Sequence, residues 1–274
     1  MNAPLVPPPG IASCPVPRRV LMGPGPSDMP PRVVAALGHP AIGHLDPDFV
    51  RMMEEIKLLL RYAFQTNNAL TFAVSGPGSV GMETCFVNLV EPGDKVIVCR
   101  NGVFGGRMIE NVQRFGGTAV IVEDAWGEPV DPQKVAEALA AHPDARAVAF
   151  VHAETSTGAQ SDAATLIGLA RAKGALAIVD TVTSLGGTPV LADAWGADAI
   201  YSGSQKCLSC VPGLAPVTFS ARAVERVKAR KGKVPSWFMD LGLVLEYWSA
   251  PGGKRTYHHT APVSLSRLQD PILA

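Results

Sequence analysis

A lysine and its neighbours are the first candidates for chemistry in this chain of 274 residues. Lys206 follows a short apolar run, 199–201, and lies within Ser204-Gln205-Lys206-Cys207. Lysine is seldom found inside a protein. A lysine held at the end of a buried strand can attack a carbonyl, because desolvation lowers the pKa of its amine. The alternative is an ordinary surface lysine in a loop, so other residues must decide between the two interpretations.

A glycine-rich turn, residues 75–81, lies between a predicted strand and a predicted helix. Its glycines allow close approach of a ligand, and the free N–H groups of a helix N-terminus suit a phosphate. Gly76, Gly78 and Gly81 also fit the dinucleotide pattern G-x-G-x-x-G. That pattern requires an acidic residue after the next strand, where this chain has Arg100. Arg100 would suit a 2′-phosphate, so a dinucleotide site and a purely structural turn both stay open.

An aspartate and a phenylalanine also follow predicted strands. Asp180 comes directly after the apolar run 175–179. A buried ionised aspartate needs a partner, which could be a protonated pyridine nitrogen or, in a helix N-cap, backbone N–H groups. Phe104 could stack on a planar ligand or belong to the core. The polar turn 152–158 adds an acid and hydroxyl groups that could orient a ring or a substrate.

The elements that would position these residues alternate along the chain. Short apolar runs without polar alternation indicate buried strands, and the segments between them have helical periodicity. The sequence therefore predicts an α/β fold with a mostly parallel sheet covered by helices on both faces. In such folds ligands bind at the carboxyl ends of the strands. The predicted strands are 70–74, 96–99, 119–122, 147–151, 175–179, 199–201 and 216–219; the predicted helices are 31–37, 48–64, 79–90, 104–115, 132–140, 161–173, 188–195 and 221–230.

Composition excludes several classes of protein. The formal net charge is +0 and no basic stripe is present, which argues against nucleic acid and anionic membranes as partners. No apolar run is long enough to span a bilayer. The five cysteines are an odd number and dispersed, so we expect a reduced, cytoplasmic protein. Cys207 and Cys210 lack a second cysteine pair that would complete a zinc site, so no metal is expected.

One ligand would use the glycine turn, the aromatic ring, the aspartate and the lysine together. Pyridoxal phosphate has a phosphate for a helix N-terminus, a ring that stacks, a nitrogen that pairs with a carboxylate and an aldehyde that reacts with lysine. A dinucleotide accounts only for the glycines. The residues therefore favour pyridoxal phosphate as the cofactor.

The chain resembles the class V pyridoxal-phosphate aminotransferases, in their alanine–glyoxylate and serine–pyruvate branch. The resemblance implies the large domain of a fold type I enzyme. The motifs that carry it occur in family order and are GPGPS at 23–27, SGPGS at 75–79, ETSTG at 154–158, VD at 179–180, SLGGTP at 184–189, YSGSQK at 201–206 and YHHT at 257–260.

The resemblance implies roles around the cofactor ring. Lys206 would form the Schiff base and then act as the base that removes the substrate α-proton. Asp180 would pair with the pyridine nitrogen. Phe104 takes the place of the stacking aromatic residue, and Thr155 that of a hydroxyl near the ring.

The resemblance also implies roles around the phosphate and a dimeric assembly. Gly78, Ser79 and Gln205 would contact the phosphate in their own subunit. Tyr257 and Thr260 would reach the phosphate of the neighbouring subunit, which makes the expected active unit a homodimer.

The expected function is transfer of an amino group from alanine or serine to a 2-oxo acid, glyoxylate or pyruvate. Three alternatives remain: an inactive fragment that still binds the cofactor, another reaction of the same cofactor, and a nicotinamide-dependent oxidoreductase. The expected domains are an N-terminal arm (1–22), a large cofactor-binding domain (23–263) and the start of a truncated C-terminal region (264–274). The C-terminal small domain, which holds the family's carboxylate-binding arginine, is expected to be missing.

Overall fold

The computed structural model describes Gly10, residues 17–248 and residues 256–264. Most of the predicted arm (1–22) and all of the predicted C-terminal region (264–274) except Ser264 lie outside the described residues. The described part contains one sheet with helices packed against it.

The elements follow the predicted alternation, with bounds that shift by a few residues. The strands are β1 (Leu70–Ser75), β2 (Lys95–Arg100), β3 (Thr118–Glu123), β4 (Ala147–Val151), β5 (Leu176–Asp180), β6 (Ala199–Tyr201) and β7 (Leu214–Phe219). The helices are α1 (Pro31–Leu37), α2 (Pro47–Phe64), α3 (Gly78–Leu89), α4 (Val103–Arg114), α5 (Pro132–Ala141), α6 (Ala163–Ala172), α7 (Ala192–Trp195), α8 (Ala221–Lys228) and α9 (Leu241–Trp248).

The sheet is mostly parallel, as predicted. Its seven strands lie in the order β1-β7-β6-β5-β4-β2-β3. The pairs β3–β2, β2–β4, β4–β5 and β5–β6 are parallel, while β7 runs antiparallel to both β6 and β1. Parallel strands need crossover connections, and α4, α5, α6 and α7 supply them between the successive strands β2, β3, β4, β5 and β6. The β6–β7 connection, residues 202–213, has no helix, and it carries Lys206.

Alternate strand residues enter two separate hydrophobic clusters, one on each face of the sheet. In β4, Ala149 packs into the cluster with α3 and α4, whereas Val148 and Phe150 pack into the cluster with α5 and α6. The side chains of Val148, Ala149 and Phe150 are fully buried. Since both of its faces are covered, β4 carries an apolar residue at every position. The mostly parallel sheet with helices packed on both faces confirms the fold class expected from the sequence.

One sequence expectation needs correction. The helix predicted at 188–195 is only Ala192–Trp195, because Thr188 pairs with Leu185 in a β-bridge and the chain leading to α7 is not helical. The aromatic segment after residue 231 belongs only partly to the core. Leu241 and Tyr247 of this segment are buried, but Trp237 is 63% exposed and stacks on His258 at 4.5 Å between ring centroids.

Candidate active site

A cavity lies at the carboxyl ends of β1, β5 and β6, the edge of the sheet predicted to bind a ligand. Antiparallel β7 places its first residue at the same edge, where Gly76 N–H donates to Gly213 O at 2.8 Å. The cavity lies between the β1–α3 turn, the β5 end and the β6–β7 connection. The predicted site residues that line it are Gly78, Ser79, Phe104, Asp180, Gln205 and Lys206.

Asp180 is a buried carboxyl group with an unusually high proton affinity. It is 2% exposed and ends β5. Burial raises its pKa to about 7, and the negative charge of Glu154 also raises it. The Val182 N–H, which donates to Asp180 Oδ1 at 2.8 Å, opposes this rise in pKa. The nearby Tyr201 hydroxyl, which makes no hydrogen bond to a described residue, also lowers the pKa of Asp180. Asp180 can therefore hold or share a proton near neutral pH.

Lys206 is half-buried beneath a loop from the N-terminal part of the chain. Ser27 N–H donates to Gln205 O at 2.8 Å, and Ser27 Oγ donates to Lys206 O at 2.8 Å. The Lys206 amine donates to Pro24 O. Gly25 lies against the lysine with φ +97°, and a Cβ built there would lie 2.8 Å from Lys206 Nζ. The loop therefore fixes both the backbone and the side chain of Lys206.

The N-terminus of α3 opens onto the cavity without a side-chain cap. Its N-cap residue is Pro77, and Val80 N–H bonds back to Pro77 O at 2.8 Å. The N–H groups of Gly78 and Ser79 have no acceptor among the described residues. A Cβ at Gly78 would lie 3.2 Å from Val182 Cγ2, so glycine allows close packing of α3 at this point. Free N–H groups and the positive end of the helix dipole make this an anion-binding position.

The N-terminus of α4 faces the same edge but is already occupied by protein groups. Gly102 provides no side-chain cap. Instead Glu154 Oε2 accepts the Phe104 N–H at 3.2 Å, and Ser156 Oγ accepts the Val103 N–H at 3.0 Å. This cap places Phe104, which is half-buried, in the wall of the cavity.

Three predicted site residues do not line the cavity of their own chain. Thr155 Oγ1 hydrogen-bonds to Thr183 Oγ1 instead. Tyr257 and Thr260 are exposed, and their hydroxyls lie 3.4 Å apart. The ring of Tyr257 also contacts His44, with 5.2 Å between ring centroids.

Other residues at the site could not be assigned from the sequence. Tyr201 and Arg107 line the cavity, and the Arg107 Cζ lies 4.7 Å from the centroid of the Phe104 ring. The only sequence signal for Tyr201 was its place at the end of a predicted strand. The sequence indicates Glu154 only as an acid in a polar turn that could orient a ring or a substrate, and not as the cap of α4.

The described ranges contain no helix that is both long and apolar enough to cross a bilayer. Within the same ranges no three His, Cys, Asp or Glu side chains come together as a metal site. Cys85, Cys99, Cys207 and Cys210 are free thiols.

Known proteins similar to this chain share its sequence and its fold. Alanine–glyoxylate aminotransferase of Oryctolagus cuniculus is 43% identical over 247 residues, 90% of this chain and 63% of that protein. A crystal structure of alanine–glyoxylate aminotransferase from Nostoc sp. superposes with a TM-score of 0.92 at 45% identity, covering 96% of this chain and 69% of that one. Ureidoglycine–glyoxylate aminotransferase of Bacillus subtilis superposes with a TM-score of 0.91 at 34% identity, covering 96% of this chain and 67% of that one.

The chain spans about 63% of the length of the curated alanine–glyoxylate aminotransferases of Oryctolagus cuniculus and Rattus norvegicus. Residues 20–233 match the aminotransferase class-V family, a range that includes the cavity and every motif of the resemblance except that at 257–260. These matches confirm the resemblance and the cofactor expected from the sequence. The chain belongs to the class V aminotransferases, whose cofactor is pyridoxal phosphate.

Proposed function

We propose that this chain transfers an amino group from a small amino acid, alanine or serine, to glyoxylate or pyruvate. Its relatives include enzymes named for alanine and glyoxylate and for ureidoglycine and glyoxylate, so glyoxylate is the acceptor they share. The observation that carries the proposal is the cavity itself. It brings a half-buried lysine, a buried proton-binding aspartate and an open helix N-terminus into one space.

The residues of the cavity fit pyridoxal phosphate, because their unpaired hydrogen-bonding and charged groups match the groups of this cofactor. The uncapped N–H groups of Gly78 and Ser79 suit its phosphate. The side-chain amide oxygen of Gln205 and the hydroxyl of Tyr201 are buried without a hydrogen-bond partner among the described residues. Asp180 has no cation in hydrogen-bond contact there, and a protonated ring nitrogen would provide one.

When bound, the cofactor supplies an aldehyde that reacts with amines and a ring that takes up the electron pair released with the substrate α-proton. The chain's own residues hold and move the protons. Asp180 lies where it can keep a proton on the ring nitrogen, since burial gives its carboxyl a pKa of about 7. Phe104 provides an apolar wall for a planar ring.

Lys206 is the group that we assign to attack and to proton transfer. Burial lowers the pKa of its amine, while the charges of Asp180 and Cys207 act in the opposite direction. A lowered pKa increases the fraction of neutral amine, the form that forms a covalent bond with a carbonyl. Once the substrate has displaced it, the same amine can accept the α-proton at Nζ as a general base.

A homodimer is part of the proposed function. The hydroxyls of Tyr257 and Thr260 are exposed and lie away from the cavity of their own chain, which leaves them able to contact a second copy. In the proposed dimer they reach the phosphate of the other subunit. Size-exclusion chromatography with light scattering should give twice the mass of one chain, and a monomer that binds the cofactor tightly would contradict this assembly.

The decisive experiment combines trapping and turnover. The protein loaded with pyridoxal phosphate is reduced with borohydride, digested and mapped by mass spectrometry. We expect the adduct on Lys206, its loss in Lys206→Ala, and no change in the control Lys173→Ala, which removes an exposed lysine.

Turnover is then measured as glycine formed from alanine and glyoxylate. An adduct on another lysine would overturn the cofactor site. An adduct on Lys206 without turnover, for either alanine or serine as donor, would overturn the transaminase assignment and favour the alternative of an inactive chain that binds the cofactor.

A further inference from the structure

We propose that Glu154 is a positioning residue of this site, which holds the Phe104 ring in the cavity wall by capping α4. The inference rests on the proposed function, because it concerns how the cofactor ring is held. Glu154 lies in the loop after β4, and Phe104 lies in the first turn of α4, so the contact joins a loop to a helix start at the ligand-binding edge.

The Glu154 carboxylate is buried and fully engaged with protein groups. The residue is 1% exposed. Its Oε2 accepts the Phe104 N–H at 3.2 Å, and its Oε1 accepts the Ser156 N–H at 3.1 Å and the Ser156 hydroxyl at 2.7 Å. No cation pairs with Glu154 within the described ranges, so N–H and O–H donors and the positive end of α4 stabilise its charge.

The backbone around Glu154 is fixed as firmly as its side chain. Its N–H donates to Ala159 O at 2.9 Å, and its carbonyl accepts the Gly158 N–H at 2.8 Å. The loop is closed by a β-bridge between Ala153 and Gln160. A carboxylate on such a rigid loop defines the position of the helix end that it caps.

Gly102, the residue before α4, leaves space for this carboxylate. A Cβ at Gly102 would lie 2.5 Å from Glu154 Cδ and 2.7 Å from Ser156 Oγ. The φ of Gly102 is 175°, an extended conformation open to any residue, so glycine is required here for space. Gly102 and Glu154 therefore act as a matched pair that brings α4 close to the β4 loop.

The same carboxylate acts on Asp180 through its charge. Glu154 is one of the groups that raise the pKa of Asp180, after burial itself. Asp180, Phe104 and Lys206 share the cavity wall, so Glu154 affects both the place of the aromatic ring and the proton on the carboxyl group. Glu154 itself is not among the residues lining the cavity, and it therefore acts through Phe104 and Asp180.

The test is a double-mutant cycle read out by cofactor binding. Glu154→Gln keeps the size of the side chain but replaces one acceptor by an NH₂ group that would face a backbone donor. We expect its Kd for pyridoxal phosphate to rise about tenfold, because the Phe104 ring is no longer held in place. Phe104→Ala should weaken binding by at least as much, and the double variant should lose no more than about twofold beyond Phe104→Ala.

The second readout is the induced circular dichroism of the bound cofactor, which reports how its ring is held. Glu154→Gln should change this spectrum at saturating cofactor. The matched control is Asp162→Asn, which alters the exposed cap of α6, where Asp162 Oδ1 accepts the Thr165 N–H at 3.1 Å. The control should leave both Kd and the spectrum unchanged.

The inference is overturned by an unchanged Kd and spectrum in folded Glu154→Gln, or by losses that multiply in the double variant. A lower melting temperature alone would indicate a purely structural role. Should Glu154→Gln fail to fold, Ser156→Ala replaces it, with an expected rise in Kd of about threefold and a change of the same sign in the spectrum. Failure of wild-type protein to form the Lys206 adduct would instead refute the proposed function.

Discussion

Two helices begin at the ligand-binding edge of the sheet, and their N-termini differ in one respect. The end of α4 is filled by Glu154 and Ser156, which reach it from a loop some 50 residues away in the sequence. The end of α3 has no side-chain cap at all. Both ends have free backbone N–H groups and the positive end of a helix dipole. They differ in whether side chains from another segment accept those N–H groups.

The difference shows where an anionic ligand belongs. Four other helices have a side-chain cap: Asp46, Asp131, Asp162 and Ser220 accept backbone N–H groups at the starts of α2, α5, α6 and α8. The short helices α1 and α7 have none, but their starts are not among the residues that line the cavity. At α3 the free N–H groups face a cavity that also contains Lys206. An uncapped helix end beside a reactive amine is where the phosphate of the cofactor is expected to bind.

The test with the largest expected effect is to place a carboxylate at the N-terminus of α3, where α4 already has that of Glu154. Ser79→Asp places a carboxylate at the first turn of α3. We expect the Kd for pyridoxal phosphate to rise at least about a hundredfold, equivalent to about 2.7 kcal/mol, because two anions would compete for the same N–H groups. Isothermal titration of the apo protein with the cofactor measures the effect.

The control for Ser79→Asp is Ser79→Ala, which removes one hydroxyl and adds no charge. Its Kd should rise by less than about tenfold. The apo form of Ser79→Asp should melt no lower than wild type, because the new carboxylate favours the helix dipole. Equal Kd values for Ser79→Asp and wild type would place the phosphate elsewhere.

The second test adds a methyl group at the N-terminus of α4, the end that Glu154 and Ser156 fill. Gly102→Ala places a methyl group 2.7 Å from Ser156 Oγ and against the side chain of Glu154, which is buried and held by its hydrogen bonds. We expect a loss of about 2 kcal/mol in the free energy of unfolding, measured with urea.

Gly106 provides the matched control within α4, because a Cβ there would have no heavy atom within 4 Å. Gly106→Ala should be neutral or stabilising by up to about 1 kcal/mol, since alanine is the better helix former. Similar losses in both variants would mean that crowding against the Glu154 cap is not the cause of the loss at Gly102.

The sequence predicted the elements better than the contacts between them. Uninterrupted apolar runs such as 147–151 predict buried strands, because residues on both faces of β4 lie in hydrophobic clusters. The direction of β7 was not predicted, since it depends on the helix-free connection 202–213. Pro189 lies in the part of the predicted helix 188–195 that the structure shows to be non-helical.

Within the site, residues at strand ends were predictable and residues held by distant contacts were not. Asp180 ends β5 and Lys206 lies in the connection that follows β6, so topology alone brings them to one edge. Ser27 reaches Lys206 across 179 residues, and Glu154 reaches Phe104 across 50. No local pattern records such pairs, although the glycines at 25 and 102 mark the places where the chain approaches another segment.

The smallest expected effect concerns Asp180, whose pKa is raised by burial and by the charge of Glu154. Asp180 has a folded-state pKa of about 7 against an ordinary value of 3.8, so the folded apo protein holds a proton that the unfolded chain has lost. The stabilisation from Asp180 is therefore fully present below about pH 4 and is lost as the pH rises through 7. Asp180→Asn, which keeps an oxygen for the Val182 N–H, removes this dependence.

We expect apo Asp180→Asn to be more stable than wild type at pH 8 by about 1–2 kcal/mol, and the difference to shrink towards pH 5. Urea unfolding of the apo proteins at both pH values measures it, with the exposed Asp28→Asn as control. Glu154 adds to the high pKa of Asp180, so in apo Glu154→Gln the pH at which this stability is lost should fall. A wild-type stability profile without this loss would mean that Asp180 is ionised in the apo protein. The charge of Glu154 would then not raise the pKa of Asp180.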